Sequence, residues 1–192
     1  MAQKHQVSKV ELIVIGGSSG SLEAIIKILA HLNTAFSIPI VIIPHRAKNA
    51  DASLELLLSA KTALMVKEAT QKEIISAGFI YVAPPDYHLL IEGDHSFSLD
   101  STEKVKFSRP SIDVSFQSAA AVYGANLLAI VLSGANADGA LGAQAVINSG
   151  GTVLIQDPTE AAVAYMPWYA IKQIKATQGY TCHKIAEYLN KI

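Results

Sequence analysis

Short continuous apolar runs alternate along this chain with stretches in which apolar residues recur every three or four positions. The runs lie at 12–15, 38–43, 78–83, 126–132 and 152–155, with a weaker one at 63–66. A run of that length without polar alternation is what a strand covered on both faces presents. Between the runs, Leu22, Ile25, Ile26 and Leu29 share one helical face, and Leu54, Leu57 and Leu58 mark a short helix over 51–60. Ser111 is placed to cap a helix over 112–123, with Val114, Ala121 and Val122 among its packing residues. Further helices are expected over 140–147, stopped by Gly150 and Gly151, and near 170–176 and 182–189. Residues 88–92 and 95–99 flank Gly93-Asp94 and read as an antiparallel hairpin.

Strands alternating with helices predict an α/β fold: a doubly wound, mainly parallel sheet with helices on both faces and one antiparallel hairpin. No repeat, linker or low-complexity segment divides the 192 residues, so they are expected to form one domain with its core at about 11–176. With 51% hydrophobic residues the chain can fill such a core. A formal net charge of -1 leaves no basic field for nucleic acid or anionic lipid. The single cysteine, Cys182, excludes an internal disulfide and a cysteine-rich metal site, and is expected to be inert packing. Residues 1–10 lack the apolar centre of a signal peptide, and no apolar stretch reaches the roughly 20 residues needed to span a bilayer. These features predict a cytoplasmic protein with no membrane insertion.

The first strand runs into Gly16-Gly17-Ser18-Ser19-Gly20 and then a helix, so the turn reads G-x-S-x-G. In that pattern small neighbours let a serine hydroxyl stand exposed beside a helix N-terminus. Ser18 is therefore a candidate nucleophile, with the Ser19 N–H as the first oxyanion donor. A plain connection or a phosphate cradle is the competing reading, although neither G-x-x-x-x-G-K-[ST] nor G-x-G-x-x-G spacing is present. Position in the fold decides between them. Loops leaving the carboxyl ends of parallel strands share one edge and form the ligand crevice, and three of them carry Ser18, His45 and Asp138. Ser18 would attack an acyl carbon, His45 would move its proton, and Asp138 would orient the imidazole. The order Ser, His, Asp differs from that of the α/β-hydrolases. Asp138 is equally placed to cap the helix beginning near Ala140, and Arg109 to pair with a substrate carboxylate or with Asp113. The remaining histidines, His5, His31, His88, His95 and His183, make no metal-ligand spacing.

The segments VIGGSSGSLEA, PHR, YVAPPDYHLLIE, RPSIDVSF, LSGANADGALG and QDPTEAAVAYMP, in this order, resemble the catalytic domain of the protein-glutamate methylesterases of bacterial chemotaxis. The resemblance runs from about residue 11 to 174. It implies that Ser18, His45 and Asp138 are a catalytic triad, that no metal or organic cofactor takes part, and that the substrates are γ-glutamyl methyl esters on cytoplasmic helices of chemoreceptors. Methanol would be released, with deamidation of receptor glutamines through the same acyl-enzyme. A catalytically silent receptor-binding module of the same fold is the alternative. About ten residues precede the first strand, so no built-in receiver domain is expected and control would come from a separate phospho-regulator. The chain departs from the family's pattern at Gly134-Ala135-Asn136, where Gly-Met-Gly is common and Ala135 falls at an oxyanion contact, and at Arg46-Ala47 in place of Met-Pro. Tyr165 replaces a small residue, and with Trp168 and Tyr169 it is expected to line the substrate approach.

Overall fold

The structure, a computed structural model, describes residues 9–46 and 53–192. His5 and the rest of residues 1–8, Ala47, and the expected helix start at 51–52 lie outside the described residues. Six parallel strands form one sheet in the order β3-β4-β2-β1-β7-β8. In chain order they are β1 (Leu12–Gly17), β2 (Ile40–Pro44), β3 (Met65–Glu68), β4 (Phe79–Val82), β7 (Leu127–Val131) and β8 (Thr152–Ile155). The remaining pair, β5 (His88–Ile91) and β6 (Phe97–Asp100), is the expected antiparallel hairpin, forming a separate two-stranded sheet. The helices are α1 (Ser21–Leu29), α2 (Ser53–Ser59), α3 (Ile112–Tyr123), α4 (Ala140–Asn148), α5 (Tyr165–Ile174) and α6 (Cys182–Leu189).

The continuous apolar runs are explained by two hydrophobic clusters, one on each face of the sheet. Side chains of a strand alternate between faces. Along β1, Leu12 and Val14 join Ile112 and Phe116 of α3, Val146 of α4 and Met166 of α5. Ile13 and Ile15 point the other way, onto Ile25 and Ile28 of α1, Leu58 of α2 and Ile185 of α6. The core therefore continues past residue 176. Ile185 and Leu189 of α6 are fully buried, and at about 1.5–3 kcal/mol each they weigh heavily against a net domain stability of about 5–15 kcal/mol.

Three local expectations change. Leu22 does not join Ile25 and Leu29 in the buried core but stands 39% exposed at the cavity that Ile25 also lines. In α3 the buried packing residues are Ile112, Phe116, Ala119 and Ala120, and the expected Val122 packs beside them, whereas Ala121 faces solvent. Helix α5 starts five residues earlier than the expected 170, because Pro167 falls in its first turn, where the missing N–H has no intrahelical partner to lose.

The sheet's order of winding reverses at β1. This strand pairs with β2 on one side and β7 on the other, in registers that place Gly17 beside Pro44 and Gly16 beside Val131. Such a switch point opens the crevice at the carboxyl ends of the strands. Gly16 lets α3 approach that point, since a β-carbon there would overlap the Ile112 side chain. Gly16→Ala is expected to displace the start of α3 and cost about 1–3 kcal/mol. Urea unfolding should show a lower midpoint at unchanged slope, and an unchanged midpoint would contradict this account of the contact.

Candidate active site

Asp138 is completely buried in the loop between β7 and α4. An isolated carboxylate could not stay charged there, but five donors converge on this one. Its Oδ1 accepts from Ser111 Oγ at 3.0 Å, the Asp113 N–H at 3.1 Å and the Gly139 N–H at 3.1 Å. Its Oδ2 accepts from the Ile112 N–H at 2.7 Å and from His45 Nε2 at 2.8 Å. Burial alone would raise the carboxyl's pKa, but the His45 hydrogen bond and the Ile112 and Asp113 N–H groups outweigh it and hold the pKa below its ordinary value. Ile112 and Asp113 begin α3, so the carboxylate also occupies the positive end of that helix. Asp138 does cap a helix, but chiefly α3 rather than the expected α4. The latter, from Ala140, follows Gly139 in left-handed geometry (φ 91°) with no side-chain cap. Ser111 fills its expected place, accepting from the Val114 N–H while it donates to Asp138.

His45 follows β2 and its side chain is only 11% exposed. Its N–H donates to the Gly17 carbonyl at 3.1 Å, and the residue after β1, Ser18, donates its own N–H to the Ser133 carbonyl after β7 at 2.9 Å. Backbone hydrogen bonding thus continues beyond the strand ends and fixes His45, Ser18 and Ser133 side by side. A carboxylate only accepts, so His45 Nε2 carries the proton and Nδ1 presents its lone pair. That lone pair faces Ser108 Oγ, 3.3 Å away. Ser18 and His45 line one cavity of about 160 Å³ together with Leu22, Pro44, Leu54 and Leu58. The Ser18 hydroxyl, half-buried, has no hydrogen-bond partner among the described residues. The structure therefore joins His45 to Asp138 directly and sets Ser18 on the adjoining strand end, without closing a Ser18–His45 hydrogen bond.

The turn at Ser18 differs from a strained elbow. Its left-handed residue is Gly20 (φ 79°), and Ser18 keeps a φ outside that region. Ser21 closes the turn by donating both its N–H (2.9 Å) and its hydroxyl (2.7 Å) to the Ser18 carbonyl. Ser19 is exposed, with its carbonyl accepting from Ser133 Oγ at 2.7 Å and its N–H without a partner among the described residues. Ala135 is exposed on the neighbouring loop. The preceding Gly134 is fixed by donating to the Val163 carbonyl (3.1 Å), accepting from the Met166 N–H (2.9 Å) and packing against the Met166 side chain.

Arg109 does not pair with Asp113. It donates to Asp86 Oδ1 at 2.6 Å and to the Ser101 and Thr102 carbonyls, which fastens the segment after β6. Lys106 is the cation at Asp113, donating to its Oδ2 at 2.6 Å and to the Ala137 carbonyl at 3.0 Å. Burial pushes the Asp113 carboxyl up, Lys106 and the Gly142 N–H oppose this, and the nearby Asp138 charge adds to the rise. The sequence marked residues 108–113 as a helix entrance, but gave no sign that Lys106 and Ser108 reach into the site. His88 is buried, accepting from the Ser111 N–H and facing the Glu103 carbonyl, and so serves the fold. Cys182 is buried as expected, and burial pushes its thiol up to about 12. Among the described residues no cluster of His, Cys, Asp and Glu is arranged to hold a metal ion, and no helix is long and apolar enough to cross a membrane.

The model of the CheB methylesterase family matches residues 13–189. A Leptospira interrogans protein, provisionally named protein-glutamate methylesterase/protein-glutamine glutaminase, is 45% identical over 177 residues, which cover 92% of each chain. A Thermotoga maritima protein-glutamate methylesterase/protein-glutamine glutaminase is 34% identical over 93% of this chain and 53% of its own length. The crystal structure of the T. maritima CheB methylesterase catalytic domain superposes with a TM-score of 0.90 at 33% identity, covering 95% of this chain and 98% of that one.

Asp138→Asn turns one carboxylate oxygen into an NH₂ group facing donors. At neutral pH the variant is expected to lose on the order of 2–3 kcal/mol of stability. The folded pKa of Asp138 lies below its unfolded value, so the carboxylate's contribution is present above that value, roughly 3.9, and fades as pH falls toward the folded pKa. Urea unfolding of both proteins should show the gap at pH 7 and its narrowing below about pH 4. Equal stability at pH 7 would contradict the assignment.

Proposed function

The chain belongs to the CheB methylesterase family, and we propose that it is a serine-dependent protein-glutamate methylesterase and protein-glutamine glutaminase in which Ser18, His45 and Asp138 form the triad. The observation that carries this reading is the imidazole held through Nε2 by a buried, multiply bonded carboxylate, with a serine hydroxyl on the adjoining strand end.

In the proposed mechanism His45 Nδ1 takes the Ser18 proton as Oγ bonds to the side-chain carbonyl carbon of a glutamyl methyl ester. The imidazolium is stabilised by Asp138, which stays ionised. The negative charge moves to the carbonyl oxygen, where the Ser19 N–H and the α1 N-terminus would serve as donors, with Ala135 offering a second N–H. One such donor is worth about 2.7–4 kcal/mol in the transition state. Collapse expels methoxide, which takes the proton from His45 and leaves as methanol. Water, deprotonated by His45, then hydrolyses the acyl-enzyme to a glutamate carboxylate and returns the proton to Ser18. A glutamine substrate gives the same acyl-enzyme, with ammonia as the leaving group. Nucleophile, base and charge stabilisation all come from the chain, so no cofactor is required.

The substrates in this reading are methylated glutamates on cytoplasmic helices of chemoreceptors, which places the protein in the cytoplasm. In this reading the chain acts as a catalytic domain, and a separate phospho-regulator is the partner that controls it. Arg109, tied to Asp86, is not needed as a substrate contact.

The test is methanol release from receptor membranes methylated by the cognate methyltransferase. The wild-type chain should release methanol and Ser18→Ala should not, while folding stability changes by no more than about 0.5 kcal/mol. Release that persists in Ser18→Ala would remove Ser18 as the nucleophile. Failure of both proteins to release methanol, together with failure of Ser18 to react with a fluorophosphonate, would leave the silent receptor-binding module.

A further inference from the structure

The base nitrogen of His45 faces a hydroxyl that the proposed reaction does not use. Ser108 Oγ lies 3.3 Å from Nδ1, while Asp138 holds Nε2. Ser108 ends a tight reversal in which Val105 and Ser108 exchange backbone hydrogen bonds of 3.2 and 2.9 Å. The two residues between them, Lys106 (φ 48°) and Phe107 (φ 66°), are both left-handed, which non-glycine residues adopt only at a cost in free energy. Their side chains diverge. Lys106 reaches inward to Asp113 and the Ala137 carbonyl, one residue from Asp138. Phe107 is 97% exposed, the most exposed large apolar side chain of the described residues.

We propose, building on the triad reading above, that the Val105–Ser108 turn is a latch on the catalytic histidine: Ser108 occupies the base nitrogen until the substrate protein engages Phe107 and draws the turn away. A neutral imidazole nitrogen has one lone pair, so the O–H groups of Ser108 and Ser18 compete for it. At 3.3 Å the Ser108 contact is longer than the usual 2.7–2.8 Å for a hydroxyl donor, so it is a weak hold that slows Ser18 without disabling it. Lys106 gives the turn a fixed pivot on the Asp138 loop, and the exposed Phe107 gives an apolar substrate helix something to grip. The left-handed backbone of both residues is the strain that such an engagement releases. Ser108 is in this account a positioning residue, acting on the reaction through His45.

The experiment is the rate at which a fluorophosphonate labels Ser18 in the full chain without receptor. Ser108→Ala should label about two- to tenfold faster than wild type, the effect of one ordinary hydrogen bond, whereas Ser108→Thr, which keeps the hydroxyl, should label at the wild-type rate. An unchanged or slower rate in Ser108→Ala, or Thr behaving like Ala, would overturn the latch while labelling of Ser18 in wild type upholds the triad. Labelling in no variant would overturn the triad reading and the latch with it. For Phe107, methanol release from methylated receptor membranes should fall further on Phe107→Ala when Ser108 is present than in the Ser108→Ala background. Equal losses in the two backgrounds would separate Phe107 from the latch.

Discussion

The buried carboxylate of Asp138 is the constraint on which the rest of the site depends. It stays charged in the interior only because donors from α3, from its own loop and from His45 converge on it. Meeting those demands brings the start of α3, the end of β2 and the loop after β7 to a single point. That convergence in turn dictates small residues. A β-carbon at Gly16 or at Gly139 would collide with Ile112, whose N–H is the shortest of the bonds to the carboxylate. Asp113 sits next to this charge and would repel it, and Lys106 offsets that repulsion from the surface side. Packing, backbone geometry and electrostatics are thus set by one charged group.

The sheet supplies the other half of the arrangement. β1 lies between β2 and β7, so the residues leaving these three strands emerge side by side at the reversal of strand order. Ser18, His45 and Asp138 come from three loops far apart in sequence, and the parallel register brings them to one edge of the sheet. The hydrogen bonds from His45 to Gly17 and from Ser18 to Ser133 extend the ladder past the strand ends. Rigid backbone therefore reaches into the catalytic loops. Beyond that backbone, the Ser18 hydroxyl has no hydrogen-bond partner among the described residues and the Phe107 side chain stands exposed.

Much of this was legible in the sequence because burial on both faces leaves a plain signature. The runs at 126–132 and 152–155 became central and edge strands, and α3 and α6 match their expected bounds because Ser111 and Thr181 cap them. The rule that loops at strand carboxyl ends form the crevice brought Ser18, His45 and Asp138 together before any coordinates. What stayed hidden depends on reach and direction rather than residue type. Two cations, Lys106 and Arg109, lie within seven residues of Asp113, and only the left-handed turn at Lys106 and Phe107 decides that the lysine points inward. Similarly, Asp138 precedes α4 in sequence, yet the close approach of α3 makes it that helix's cap. Helical periodicity misplaced Leu22 because the first turn of α1 borders a crevice instead of the core.

The central claim is that Asp138 fixes the His45 tautomer, with the proton on Nε2 and the lone pair of Nδ1 turned toward Ser108. Nitrogen-15 NMR of the histidine-labelled protein at a pH where His45 is neutral reads this directly. The account predicts a protonated Nε2 and an unprotonated Nδ1 for His45 in the wild type, and loss of that fixed tautomer in Asp138→Ala. A proton resting on Nδ1 in the wild-type protein would contradict it, because Nδ1 would then have no lone pair free to accept a proton.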